Sequence, residues 1–205
     1  MSVLPWLERL REWDETGFHL INGSLRNRFL DLLMPFVSNK WNFALPAAAL
    51  LGYVLLFRPK RDRIIAVSAI ALILLTDETS QLLKDLFQRI RPCGVLNATA
   101  CLRVRSFSFP SNHAANMFAL ATFLSYNYSR SGFVWFLAAA LVGYSRIYVG
   151  SHYPLDVLGG ALWGVLIGML GAAAVRHLLR IAGVQYASSS GDKKNQSACE
   201  PETFQ

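Results

Sequence analysis

The chain has 205 residues, of which 53% are hydrophobic and 16% charged, and its formal net charge is +7 at pH 7. This size allows one domain, and the composition is too apolar for an ordinary soluble protein, so we expect a membrane protein. The excess of Lys and Arg does not indicate nucleic-acid binding, because these residues form short clusters between apolar runs and no basic surface with interleaved aromatic residues.

The first forty residues predict two amphipathic helices. Apolar residues fall on one helical face over about 4–16, and a second apolar face follows the break at Asn22-Gly23. Charged residues at 6–13 occupy the place of the apolar stretch that a secretory signal needs, so no signal is predicted. We expect both helices to lie in the membrane interface beside the site, although the second could also pack as a short first membrane helix.

Five apolar runs predict membrane-spanning helices, at 43–57, 64–75, 112–129, 132–144 and 157–175, and the second of these helices is expected to continue to Lys84. Several of them are shorter than the roughly 20 residues that a bilayer prefers. We therefore predict an all-α polytopic membrane helix bundle of five to six spans. Its parts are amphipathic interfacial helices at 1–40, a membrane domain at 41–181 and a disordered cytoplasmic tail at 182–205.

The basic residues between the runs predict the orientation of the bundle. On one side, assigned to the cytoplasm, lie the loop 58–63, Arg130, Arg176 and Arg180. The opposite side then receives 88–112 and 146–156. In a bacterium that side faces the periplasm, where Cys93 and Cys101 could form a local disulfide while Cys199 stays free.

Residues 145–156 place a cation, an imidazole and a carboxylate between two apolar runs, where burial without partners is costly. Pro154 suits the first position of a helix, and Asp156 would lie in its first turn, able to reach back to His152. A carboxylate at one ring nitrogen leaves the other basic, as a nucleophile or general base requires. Arg146 offers a guanidinium fork for phosphate oxygens. An interfacial ion pair at a helix start is the structural alternative.

Two further cations precede this stretch. Lys84 and Arg91 are seven residues apart, so both lie on one helical face if the helix continues to Pro92. Asp77 lies seven residues earlier on that face and could pair with Lys84 or line the floor of a pocket. Snorkelling at a helix end is the alternative for Lys84, but it explains the pair less well.

Pro110-Ser-Asn-His113 opens the third predicted span, with Ser111 or Asn112 as its N-cap. The free N–H groups of such a first turn can bind a phosphoryl oxygen beside His113. A lone histidine at a helix start is more often structural than catalytic. Here the cations and the second histidine of the neighbouring segments favour a catalytic role for His113. Together the segments offer anion-binding cations, a nucleophile with an orienting acid and a histidine to protonate a leaving group, which fits phosphoryl transfer without a metal.

Three spaced motifs resemble the tripartite signature of the type 2 phosphatidic acid phosphatase superfamily. They are Lys84 with six residues before Arg91-Pro92, then Pro110-Ser-Asn-His113, then Ser145-Arg146 with five residues before His152 and three more before Asp156. The resemblance covers about residues 40–180. Its one departure is Asn112, where the family usually has Gly. If a backbone N–H holds the phosphate there, Asn can substitute, whereas a need for close backbone approach would weaken binding.

The resemblance implies a mechanism and a set of site residues. His152, oriented by Asp156, would attack phosphorus to form a phosphohistidine, while His113 protonates the leaving oxygen and later activates water. The residues implied to hold the phosphoryl oxygens are Lys84, Arg91, Ser111, Asn112 and Arg146. No metal or other cofactor is expected, because the cations occupy its role.

The resemblance also implies a lipid phosphatase in a bacterial inner membrane, with its site facing the periplasm. The candidate substrates are undecaprenyl pyrophosphate, phosphatidic acid or phosphatidylglycerol phosphate, and a lipid A phosphate; short family members favour the first slightly. Two alternatives remain. A phosphotransferase would use the same site, and a non-catalytic transporter would place charges through the depth of the membrane, whereas here they concentrate near one face.

Overall fold

The structure, a computed structural model, describes residues 5–95, 106–128 and 131–184. Its helices are α1 (Pro5–His19), α2 (Arg28–Ser38), α3 (Ala44–Phe57), α4 (Lys60–Phe87), α5 (Pro92–Val95), α6 (Asn112–Asn127), α7 (Gly132–Tyr148) and α8 (Pro154–Ile181). The predicted all-α fold is confirmed. Cys93 is disulfide-bonded, whereas Cys101 and most of the predicted tail lie outside the described residues.

Each of the five predicted spans is a helix, but their lengths differ. Within the described residues, the segments long and apolar enough to cross a membrane are Lys40–Phe57, α4 and α8. The apolar helix α7 is shorter, and α6 has only 16 residues, or about 24 Å at the usual rise. The helices α4 and α8 extend beyond their apolar runs and include charged residues in their end turns.

The central helix is α6, which packs against α4, α7 and most extensively α8. Glycines on α8 allow its close approach: a Cβ at Gly160 would lie 2.5 Å from the Ser111 carbonyl oxygen, and one at Gly168 would lie 2.6 Å from that of Ala119. The spacing of Gly160, Gly164 and Gly168 therefore serves tight helix packing within the chain. The contact also holds the first turns of α6 and α8 side by side.

The two ends of the bundle differ in chemistry. At one end, Arg61 donates to the Asn127 carbonyl oxygen over 2.7 Å, and Arg176 lies over the Tyr126 ring at 5.1 Å. At the other end, the three motif segments gather. Between the ends lies an apolar core that includes Ile65, Leu72, Phe123, Val175 and Leu179. The basic loops and the motifs therefore occupy opposite ends, as the sequence predicted.

The N-terminal helices lie against the motif end of the bundle. Along α1, Trp6 and Trp13 are exposed, whereas Asp14 and Phe18 are buried. The ring of Phe18 contacts that of Tyr153, with centroids 5.6 Å apart. The apolar exposed face of α1 fits the predicted position in the membrane interface, and its buried face contacts the start of α8.

One predicted boundary is wrong. The helix α4 ends at Phe87 because Gln88 adopts φ 48°, a left-handed conformation that terminates a helix. Pro92 begins the short helix α5 and is not the end of α4. Lys84 thus lies in the last turn of α4, and Arg91 reaches the same site from the following loop and not from a shared helical face.

Candidate active site

Three chain segments bring their charged side chains together at the motif end of the bundle. Exposed fractions of 8% or less are found for Lys84, Arg91, Ser111, Arg146, His152 and Asp156. Burial of this many polar groups is tolerated only where each finds a partner. The snorkelling alternative does not describe Lys84, which is buried. The ion-pair alternative holds in part, since Asp156 at the start of α8 pairs with Arg89.

His152 lies in the loop that joins α7 to α8. The backbone N–H groups of Ser151 and His152 donate to the Arg146 carbonyl oxygen, over 3.0 and 3.3 Å, and fold the loop back onto α7. The ring Nε2 of His152 lies 3.0 Å from Nη1 of Arg91. Because a guanidinium can only donate, Nε2 accepts this bond, and a neutral ring then carries its hydrogen on Nδ1. This tautomer leaves a lone pair at Nε2.

Burial is the main cause that lowers the pKa of His152, from 6.5 to about 3, and the nearby charges of Arg91 and Arg146 act in the same direction. Asp156 opposes them without reversing the shift. The imidazole is therefore neutral at physiological pH. A neutral imidazole that carries no hydrogen on Nε2 has the lone pair that a nucleophile needs, once the Arg91 donor moves from it to a ligand.

Asp156 occupies the first turn of α8, and Pro154 is at its start, as predicted. One carboxylate oxygen, Oδ2, accepts the backbone N–H of Tyr153 over 2.8 Å and the hydroxyl of Ser108. The same oxygen lies 3.7 Å from Nδ1 of His152, which is an ion-pair distance and longer than a hydrogen bond. The Ser108 hydroxyl lies 3.5 Å from Nδ1 and so stands beside both groups.

The buried cations hold the surrounding loops. Lys84 donates from Nζ to the carbonyl oxygens of Pro110 and Phe107, over 2.6 and 3.2 Å. Arg91 donates to the carbonyl oxygens of Ser106 and Ser151, over 2.7 and 2.9 Å. These bonds occupy some of the N–H donors of each cation, and because the acceptors are neutral carbonyl oxygens they do not cancel its positive charge. The two side chains thus give the site a fixed positive potential.

Two polar groups in the cluster have no hydrogen-bond partner: the Ser111 hydroxyl and Nε of Arg146 are buried and unpaired. Arg146 donates from Nη1 to the hydroxyl and carbonyl oxygens of Ser38, at the end of α2. Ser111 is at the N-cap position of α6, but its side chain makes no capping bond. A ligand with several acceptor oxygens would satisfy both groups.

Asn112 and His113 begin α6. Asn112 turns its side-chain amide toward α4, where Nδ2 donates to Asp77 over 2.9 Å, and Asn116 donates to the same oxygen over 3.3 Å. Asp77 therefore bonds to these two amides, whereas Lys84, which the sequence suggested as one partner, bonds to backbone carbonyl oxygens. His113 is the second residue of α6 and is half-buried there.

Three residues at the site were missed by the sequence analysis: Asp14, Arg89 and Ser108. Arg89 bridges Asp14 and Asp156, and Ser108 contacts Asp156. The sequence does contain a signal for Arg89, because it is a second cation only two positions before Arg91. Nothing separates Asp14 from the other charged residues of α1 in the sequence.

The neutrality of His152 predicts how stability depends on pH. The unfolded chain binds a proton at this residue near pH 6.5 and the folded chain only near pH 3, so acidification between these values favours unfolding. From pH 7 to pH 5 the wild type should lose about 2 kcal/mol more than a His152→Gln variant. Melting temperatures of both proteins in detergent at the two pH values test this. Equal losses would show that the folded protein already protonates His152 at pH 5.

Comparison with known proteins gives a family match and several relatives. The family model described as PAP2 superfamily matches residues 63–180. A lipid A 4'-phosphatase of Porphyromonas gingivalis is 28% identical over 79% of this chain and 72% of its own length. An undecaprenyl-diphosphatase of Sulfolobus acidocaldarius is 34% identical over 62% of this chain and 60% of its own. The crystal structure of Aquifex aeolicus LpxE superposes with a TM-score of 0.60 at 30% identity, covering 76% of this chain and 92% of that one.

Proposed function

The chain belongs to the PAP2 superfamily and is a membrane phosphatase, and on this premise we propose that it removes a phosphate from a lipid phosphate or diphosphate through a phosphohistidine on His152. The family match confirms the resemblance drawn from the three motifs. The observation that carries the proposal is the state of His152. Its imidazole is buried and neutral, and its Nε2 faces the Arg91 guanidinium at 3.0 Å.

In the first step, the lone pair on Nε2 of His152 attacks phosphorus, and the bond from phosphorus to the leaving oxygen breaks. Positive charge develops on the imidazole, and Asp156, 3.7 Å from Nδ1, stabilises it. Arg91 bonds to Nε2 before substrate arrives. Its Nη1 can move from Nε2 to a phosphoryl oxygen, so the same donor orients the nucleophile and then binds the group that is attacked.

The phosphoryl oxygens need donors that are fixed before reaction. Lys84 and Arg91 provide charge, and the unpaired Arg146 Nε and Ser111 hydroxyl provide the remaining hydrogen bonds. The free N–H groups at the start of α6, including that of Asn112, add further donors. The side-chain Nδ2 of Asn112 bonds to Asp77, so at this position the backbone N–H is the donor offered to the phosphate.

His113 completes the cycle as a general acid and then as a base. It first protonates the leaving oxygen, which departs as an alcohol or a phosphate. It then accepts a proton from water, whose oxygen attacks phosphorus as the bond to Nε2 breaks. Inorganic phosphate leaves, and His152 returns to its neutral form.

We propose a membrane lipid as the substrate. The motif resemblance favours undecaprenyl pyrophosphate slightly, whereas a relative named lipid A 4'-phosphatase aligns over 79% of this chain and the undecaprenyl-diphosphatase over 62%. We therefore place these two substrates first, followed by phosphatidic acid and phosphatidylglycerol phosphate. We further propose that the site faces the periplasm of a bacterial inner membrane, because Arg61 and Arg176 lie at the opposite end of the bundle.

The test is phosphate release by the purified protein in detergent, with a chelator present, from each of the four lipids. We expect release from at least one of them, unaffected by the chelator because the buried cations carry the charge that a metal would otherwise supply. Strong inhibition by the chelator would contradict the metal-independent mechanism. Transfer of labelled phosphate to an added lipid, with no free phosphate, would instead identify a phosphotransferase.

A further inference from the structure

Arg89 lies between two buried carboxylates. Its Nη1 donates to Oδ1 of Asp156 over 2.7 Å, and its Nη2 contacts Oδ2 of Asp14. The side chains of both carboxylates have an exposed fraction of 0%, whereas that of Arg89 is 28% exposed. The guanidinium also stacks over the Tyr153 ring at 4.4 Å. One cation thus pairs with two carboxylates whose side chains have no access to water.

Asp14 brings α1 into this arrangement. Its second oxygen, Oδ1, accepts the backbone N–H of Leu155 over 2.8 Å, which is one of the free donors in the first turn of α8. Asp14 therefore binds both the residue that holds Asp156 and the backbone of the helix that carries Asp156. The rest of α1 is mostly exposed, so this carboxylate and the buried Phe18 fix the helix at the site.

We propose that Arg89 and Asp14 are positioning residues, which hold the Asp156 carboxylate in the orientation that supports His152. This inference rests on the proposed function, since it assigns the two residues to the same reaction. Asp14 acts through Arg89, and Arg89 acts through Asp156. Neither touches the phosphoryl group.

The orientation of Asp156 depends on which donors hold each oxygen. Ser108 and the Tyr153 N–H hold Oδ2, the oxygen nearest to His152, and Arg89 holds Oδ1. The terminal torsion of an Asp side chain is broad, so a carboxylate released at Oδ1 can turn about this bond. Rotation would move Oδ2 away from Nδ1 of His152, where charge develops in the first step.

The fork of the guanidinium is needed as well as its charge. Two nitrogen atoms of Arg89 reach two carboxylates on different helices, which a single ammonium cannot do in the same geometry. Burial lowers the pKa of Arg89, but Asp156 and Asp14 raise it by more, so the group stays charged. Without Arg89, two buried carboxylates would have lost their shared counter-ion, which destabilises a protein strongly.

The test compares Arg89→Met and Asp14→Asn with the wild type and His152→Ala in the same phosphate-release assay. A misplaced catalytic group can cost about 100-fold in rate, so we expect kcat of Arg89→Met to fall by about that factor with little change in KM. The fall for Asp14→Asn should be smaller, at about 10-fold, because Arg89 keeps its bond to Asp156. Single-turnover formation of the phosphohistidine should slow in parallel.

A double variant separates positioning from folding. Asp14→Asn combined with Arg89→Met removes a buried charge together with its partner, so its melting temperature should recover relative to Arg89→Met alone. Its kcat should stay as low as that of Arg89→Met, because Asp156 is still unsupported at Oδ1. If kcat recovers together with the melting temperature, the role is structural and the inference is overturned. If Arg89→Met alone does not fold, the kcat values and melting temperatures of Asp14→Asn and of the double variant test the positioning role.

Arg11→Gln is the matched control, because Arg11 lies on α1 and pairs with Glu15 at the exposed surface. This variant should keep the wild-type kcat. A wild-type kcat in both Arg89→Met and Asp14→Asn would overturn the positioning role while leaving the proposed function intact. Failure of the proposed function itself would appear differently, as phosphate release that persists in His152→Ala.

Discussion

Replacement of His152 with alanine is expected to abolish phosphate release while the membrane fold remains intact. The change removes the nucleophile, and loss of a nucleophile lowers kcat by about 10⁴-fold or more in enzymes where it has been isolated. The folded state should persist because the loop around His152 is held by backbone bonds to the Arg146 carbonyl oxygen, and the variant keeps these bonds. The ring is also absent from the apolar core between α4, α6 and α8.

The measurement is phosphate release by the purified variant beside its melting temperature in detergent. Ser125→Ala is a suitable control, because Ser125 lies in the last turns of α6, away from the motif end, and its hydroxyl donates to the Ala121 carbonyl oxygen over 2.6 Å. The control should keep its turnover, and His152→Ala should have none above background. Substantial turnover by a folded His152→Ala protein would contradict the assigned nucleophile and favour direct attack by water.

Local signals in the sequence were sufficient for most of the fold. Pro154 and Asp156 start α8 as predicted, because proline geometry and a first-turn carboxylate act within one turn of a helix. The end of α4 was misplaced because Gln88 takes a left-handed conformation that its residue type does not favour. The chain just after this turn is held by a long-range bond, from the Ser108 N–H to the Arg89 carbonyl oxygen over 2.7 Å, and a local pattern does not contain such a contact.

The motifs identified the cations and histidines of the candidate site but not the residues that hold them. Asp14 meets Leu155 across 141 positions of the chain, and Arg89 meets Asp156 across 67. Contacts at such separation depend on how the helices pack, and a charge on an amphipathic helix gives no sign that it will be buried. The structure also shows that Ser38 at the end of α2 bonds Arg146, so both N-terminal helices border the site.

Replacement of His113 with asparagine is expected to have an effect that depends on the leaving group. A general acid contributes roughly 10² to 10⁴-fold, and its loss matters most when the leaving oxygen is strongly basic. The alcohol of a lipid phosphate is such a group, whereas the nitrophenol of p-nitrophenyl phosphate leaves without help. Formation of the phosphohistidine should therefore slow greatly with a lipid monophosphate and much less with the aryl ester.

The same variant should accumulate the phosphohistidine when the aryl ester is supplied. Its formation on His152 proceeds, but its hydrolysis is slow because His113 no longer accepts a proton from water. Rapid quenching with labelled substrate would measure the trapped phosphate, and His152→Ala should trap none. Asn116→Ala is the matched control, since Asn116 lies one turn further along α6 and bonds Asp77. Equal losses of rate with both substrates, or no trapped phosphate, would contradict the acid and base roles of His113.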